Sequence, residues 1–264
     1  MMKLSLSLLL GFSVLLPSVA DSAPLPVAPE GAARNNQVVD LFFVGGQSNA
    51  TTNFYAGIRS VLLASGQFPG CEVVWKQHSG NPIHNWFDGS RRTNYLVDLY
   101  DPSAAEGALE AACNNLIKSG KKYRLRGFFW FQGEGDTHNT NEVNAYTAKF
   151  TGMLNQLATD LNDGRPVPFA IALIGYNTNR PPMPPHVPLD QRGPVQALRT
   201  VQRNLAVQSS IGSYADSWDY PRVDTWHITA KGAFDFGSAL AKAFLAQQNG
   251  VTNPVPNRSA ASAH

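Results

Sequence analysis

From Val38 onward, short apolar runs alternate with longer segments whose apolar residues recur every three or four positions. The first kind fits strands and the second fits helices; their alternation is the pattern of a parallel sheet wound with helices. Strands are predicted at 38–44, 72–76, 125–131, 169–175 and 213–215, and helices at 53–64, 105–119, 142–161, 195–207 and 230–247. The first strand, VVDLFFV, is apolar apart from Asp40, as expected of a strand covered on both faces. Gly120 and Gly250 stand just past two of the helices, where a C-terminal cap belongs. The stretch 177–193 carries Pro181, Pro182, Pro184, Pro185 and Pro188 and reads as a long irregular loop, a functional rim rather than a linker. The expected architecture is one α/β domain over 37–250, a three-layer α/β/α sandwich around a parallel sheet of about five strands.

The residues before that domain follow another pattern. Lys3 precedes a mostly apolar run at 4–16 without charges, and Ser18 and Ala20 are small residues where a signal peptidase reads. Residues 1–20 are therefore expected to be a secretory signal, too short for a membrane span, which needs about 20 apolar residues. A Pro- and Ala-rich leader follows at 21–36, and residues 251–264 read as a frayed tail. The expected location is secreted or periplasmic, with no membrane attachment after cleavage.

Charge narrows the partners. Lys plus Arg number 21 against 19 Asp plus Glu, so neither a nucleic-acid footprint nor an acidic tail is present. With 43% hydrophobic residues and 15% charged, the bulk of the chain is globular. Export would favour pairing of the two cysteines, Cys71 with Cys113; the alternatives are two small buried residues or a reactive thiol, and neither has an activating basic neighbour in sequence.

Ligands of parallel α/β sheets bind at the carboxyl ends of strands, and four segments there carry chemistry. Strand one runs into Gly45-Gly46-Gln47-Ser48-Asn49, a glycine turn that can present a hydroxyl beside backbone N–H donors; taken alone it reads more readily as a turn with a capping Ser. No Gly-Lys-Ser/Thr follows, which disfavours a phosphate loop. Asp224-Thr225-Trp226-His227 precedes the last helix, and an acid three residues ahead of a His can bond its Nδ1–H and leave Nε2 as a base; the alternative is helix capping. Trp130-Phe131-Gln132-Gly133-Glu134-Gly135-Asp136-Thr137-His138 puts polar groups where strand three emerges. A metal reading of Glu134, Asp136 and His138 lacks a second ligand pair at helical spacing. A glycosidase reading, with Glu134 and Asp136 or Asp224 as the two carboxylates, stays open. Ser79-Gly80-Asn81 with the trailing Trp86 offers a backbone donor and a flat apolar face, or an ordinary turn with a core Trp.

Together and in this order, GGQSN, SGN with its Trp, WFQGEGD and DTWH resemble the SGNH/GDSL hydrolase superfamily, in its branch of sialate O-acetylesterase-like proteins and family-six carbohydrate esterases. The resemblance spans Val38 to about Gln247. It implies a flavodoxin-like α/β/α fold and a serine esterase acting on acetylated carbohydrate, with no cofactor or metal. Ser48 then resembles the nucleophile, His227 the base and Asp224 its orienting acid, with Glu134 a second candidate for that acid. Gly80 and Gln132 fall where the family supplies oxyanion donors beside the Ser48 amide. Gln47, Asn49, Asn81, Trp86 and Trp226 are the expected substrate contacts. Two positions depart from the common pattern: Ser79-Gly80-Asn81 replaces Gly-Gly-Thr, and Phe131 stands where a His is frequent. The competing classes are a glycoside hydrolase built on Glu134 and Asp224 and a non-catalytic carbohydrate-binding protein on the same scaffold. Oligomeric state is left open.

Overall fold

Strands β1 (Val38–Gly46), β2 (Glu72–Gln77), β3 (Lys122–Phe131), β4 (Phe169–Leu173) and β5 (Gly212–Asp216) form one sheet in the order β2-β1-β3-β4-β5. Every neighbouring pair is parallel. The computed structural model describes residues 38–89, 95–96, 122–176 and 189–251, with backbone alone over 189–192. Its helices are α1 (Thr52–Ala64), α2 (Ile83–Trp86), α3 (Thr140–Leu161), α4 (Leu189–Val207) and α5 (Ala230–Gln248), with a 3₁₀ turn at Glu134–His138.

Strand order decides where the helices lie. Crossovers between parallel strands are right-handed almost without exception. The step from β1 to β2 runs one way along the sheet and the steps from β3 to β4 to β5 run the other, so α1 falls on one face and α3 and α4 on the opposite one. α5 packs with α1, while α2, α3 and α4 group together. The side chains of β3 alternate accordingly. Phe128 and Trp130 meet Phe150 of α3, and Phe129 and Phe131 meet Phe244 and Phe236 of α5. Asp40, the polar residue of β1, is held by Arg126 Nε at 2.6 Å and Arg124 Nη2 at 3.3 Å.

The predicted strands are all present with ends shifted by up to three residues, and Gly250 caps α5 as expected. With φ of +80° it lets Val251 N–H reach Ala246 O while its own N–H reaches Gln247 O, at 3.0 Å each, a Schellman closure. Two features differ from expectation. α4 begins at Leu189, inside the stretch read as loop to 193, because a proline near a helix start removes only one backbone hydrogen bond and Pro194 does not stop it. α2 and the 3₁₀ turn are too short for periodicity to reveal. Cys71 is buried, and burial pushes its thiol pKa up; the expected Cys71–Cys113 pairing falls on a residue outside the described ones. Cys113 itself, the segments 1–36 and 252–264, the helix at 105–119 with Gly120, and loop residues 177–188 lie outside the described residues.

Candidate active site

β1 and β3 are neighbours whose onward connections leave in opposite directions, the switch point at which open α/β sheets form their binding crevice. Gly46 pairs with Phe131 at the carboxyl ends of these two strands. Its φ is +155°, and a Cβ there would stand 2.1 Å from the Phe131 carbonyl oxygen, so the position requires glycine. The chain then turns at once: Gln47 N–H donates to Phe131 O at 3.0 Å and Ala50 N–H to Gln47 O at 2.8 Å. Thr51 caps α1 by accepting from Phe54 N–H. Ser48 is left half-buried at the tip of a turn fastened to both strands.

The DTWH segment is the end of a small hairpin. Arg222 and Ile228 form an antiparallel bridge, Val223 N–H donates to His227 O at 2.9 Å, and Thr229 N–H to Pro221 O at 2.8 Å. Within it Asp224 Oδ1 accepts from the N–H groups of Trp226 and His227, both at 2.7 Å. Its other oxygen, Oδ2, lies 2.6 Å from His227 Nδ1. A carboxylate can only accept, so Nδ1 carries the proton and Nε2 presents its lone pair. That Nε2 lies 3.0 Å from Ser48 Oγ, across 179 residues of sequence. Burial works to raise the Asp224 pKa but is outweighed by these N–H donors, which hold the carboxyl below its ordinary value. The arrangement can take a proton from a hydroxyl and hand it back.

The other carboxylates are elsewhere. Glu134 is 5% exposed and its Oε1 accepts from Asn49 Nδ2 at 2.6 Å, while Oε2 has no hydrogen-bond partner among the described residues. Burial pushes its pKa up. Of the two candidate acids, Asp224 touches His227 and Glu134 holds Asn49. Asp136 is fully buried, accepting from Ile83 N–H at 3.0 Å and from the Gln132 amide; burial pushes it up to about 6. Neither Glu134 nor Asp136 reaches a solvent-facing position, so the pair of open carboxylates a glycosidase needs is not formed. Among the described residues no group of three His, Cys, Asp or Glu is placed to hold a metal ion.

Four further expectations are corrected. Gln132 spends its two amide hydrogens on Asn81 O, at 3.2 Å, and on Asp136 Oδ2, so its side chain braces the Ser79–Ile83 loop instead of offering a donor beside the serine. Gln47 is buried, its Oε1 accepting from Gly133 and Gly135 N–H at 3.3 and 3.2 Å. Asn49 is also buried. Trp86 is in the core, edge-on to Trp130 at 4.9 Å, and shows no face to a sugar. Gly80, with φ of +71°, is exposed at the apex of its loop, and Asn81 and Trp226 are half-buried. Arg222 was not foreseen. It is buried and its guanidinium ties Trp218 O, Tyr220 O, Trp226 O and Ser217 Oγ together beneath the hairpin, which lowers its pKa to about 10 through loss of solvation. A lone Arg before a loop carries no sequence signal for this.

The sequence profile of the family described as carbohydrate esterase, sialic acid-specific acetylesterase matches residues 70–246. The chain belongs to this family. The match covers the SGN, WFQGEGD and DTWH segments, and the esterase brings Ser48 to them through the hydrogen bond with His227. No curated relative matches the sequence. Among solved structures, a protein from Arabidopsis thaliana is similar at TM-score 0.55 and 14% identity, over 80% of this chain and 99% of that one. A carbohydrate acetylesterase from Sinorhizobium meliloti, Est24, is similar at TM-score 0.50 and 15% identity, over 78% and 99%. These likenesses are of fold and agree with the single parallel α/β sheet of the esterase.

Proposed function

We propose that this esterase removes acetyl and other short acyl groups from carbohydrate through an acyl-enzyme on Ser48. The observation that carries this reading is the unbroken line from Asp224 Oδ2 to His227 to Ser48 Oγ, at 2.6 and 3.0 Å. His227 Nε2 takes the hydroxyl proton as Oγ attacks the ester carbonyl, and the backbone N–H groups of Ser48 and Gly80 receive the oxyanion. Collapse breaks the bond to the sugar oxygen, which leaves with the proton from His227. Water then gives a proton to His227, attacks the acyl carbon and releases acetate, and Ser48 recovers its hydrogen. Asp224 fixes the tautomer throughout and stabilises the imidazolium.

Acetylated xylan and O-acetyl sialic acid are the two substrate types this reading favours, and the apolar run at 4–16 with Ser18 and Ala20 supports an exported site of action. The test is acetate release from p-nitrophenyl acetate, acetylated xylan and O-acetyl sialic acid by the wild-type and Ser48→Ala proteins. A fall in kcat of at least about a thousandfold is expected for the variant. Wild-type-like turnover by Ser48→Ala overturns the serine mechanism, and wild-type activity on neither carbohydrate overturns the substrate assignment.

A further inference from the structure

Asn49 follows Ser48 in the chain but faces the opposite way, 2% exposed, beneath the hairpin that carries the base. Its Nδ2 donates to Trp226 O at 3.1 Å, and its Oδ1 accepts from Ile228 N–H at 3.0 Å. These two groups belong to the peptide bonds immediately before and after His227. The side-chain amide thus stands in for a neighbouring strand residue, engaging one acceptor and one donor on either side of a single position. An Asn amide can be turned over, which would set a carbonyl against Trp226 O and an NH₂ against Ile228 N–H. Glu134 decides between the two orientations. Its Oε1 takes the second hydrogen of Nδ2 at 2.6 Å, inside the protein where no water competes.

We propose that Asn49 is a positioning residue for the base, gripping the backbone on both sides of His227, and that Glu134 acts by orienting the Asn49 amide and not as an acid toward His227. The inference rests on the reading of Ser48 and His227 as nucleophile and base. It explains why a carboxyl group stands buried beside the site without touching it: an acceptor is needed there, and a charge is not. The residue that follows the nucleophile thereby sets the distance of the base from that nucleophile, so the two ends of the 179-residue span are fixed by adjacent side chains.

The test compares Asn49→Ala, Asn49→Asp, Glu134→Gln and Glu134→Leu with wild type and Ser48→Ala on p-nitrophenyl acetate. Melting temperature and the far-downfield proton resonance of the His227 Nδ1–H bond are recorded for each. Asn49→Ala is expected to lose about 30- to 100-fold in kcat with KM within about twofold, the scale of a misplaced catalytic group, and to lose or broaden the downfield resonance. Asn49→Asp keeps the shape and the acceptor for Ile228 but loses both donors; it should fall as far, and it decides the matter if the alanine variant does not fold. Glu134→Gln still offers an acceptor to Asn49, so its loss should be about threefold against about thirtyfold for Glu134→Leu. Wild-type kcat in folded Asn49→Ala, an intact downfield resonance beside a lost kcat, or equal damage from Gln and Leu at 134 overturns the proposal. Retained activity in Ser48→Ala marks failure of the underlying serine reading instead.

Discussion

Gly57 of α1 and Gly237 of α5 lie against one another's helix: a Cβ at Gly57 would stand 2.1 Å from Phe234 O, and a Cβ at Gly237 would stand 2.1 Å from Phe54 O. α1 starts soon after Ser48, and α5 starts soon after the base hairpin's His227. The close approach of these helices therefore sets the frame in which serine and histidine meet. Adding a methyl group at Gly237 forces the helices apart, since the obstacle is backbone and cannot rotate away. Gly237→Ala should destabilise by about 2–4 kcal/mol and lower kcat in the folded fraction, because the Ser48–His227 spacing widens. Urea unfolding with activity measured per folded molecule checks both; an unchanged midpoint removes the helix contact from the argument.

Asp224→Asn separates the two acids. Oδ1 would still accept from the Trp226 and His227 N–H groups, so the new NH₂ must face His227 Nδ1. That places a donor against Nδ1, which then gives up its hydrogen and leaves Nε2 protonated toward Ser48. A fall in kcat of about 10³- to 10⁴-fold with little change in KM is expected. Steady-state kinetics on p-nitrophenyl acetate decide it, and a loss smaller than that of Glu134→Leu would return the acid's part to Glu134.

The sheet was legible because its central strands are buried along most of their length, so VVDLFFV, LRGFFWF and FAIAL are nearly continuous apolar runs. Ser48, Asp224 and His227 were legible through the resemblance that the four segments carry together; the spacing of an acid three residues before a His allows closure on Nδ1 but left helix capping open. What escaped was direction. Gln47 and Asn49 flank Ser48, and Gln132 and Trp86 stand in segments read as part of the site, yet all four side chains are buried, holding neighbouring groups or filling the core. Arg222 escaped because three of its partners are carbonyl oxygens, which every residue has.

Arg222 offers a third measurement. Its guanidinium satisfies carbonyls at Trp218, Tyr220 and Trp226, and Arg222→Met keeps the apolar volume while leaving the first two without this donor and Trp226 O with Asn49 Nδ2 alone. A destabilisation of about 3 kcal/mol is expected, with a lower kcat because Trp226 O adjoins the base. Arg222→Lys should not restore either value, since a single ammonium cannot reproduce the planar fork. Full rescue by lysine would show that only the charge matters.

The buried carboxyl of Asp136 makes stability respond to pH in an unusual direction. Its pKa is pushed from 3.8 to about 6, first by burial and further by Glu142 and Glu134, against the opposing hydrogen bonds of Ile83 N–H and Gln132. A raised carboxyl pKa means that the folded protein holds a proton that the unfolded chain has released across the window between those values. This group's contribution is therefore complete below pH 3.8 and is lost as pH rises through about 6. A neutral amide does not titrate, so in Asp136→Asn the loss is absent, whatever fixed cost comes from disturbing the Gln132 contact. The stability of wild type relative to the variant should thus decline by about 2–3 kcal/mol between about pH 4 and pH 7.5 and level off above that. Paired urea titrations across this range measure the difference directly. A difference that stays flat with pH, or that grows in favour of wild type, shows that Asp136 is ionised in the folded protein throughout and that its hydrogen bonds outweigh its burial.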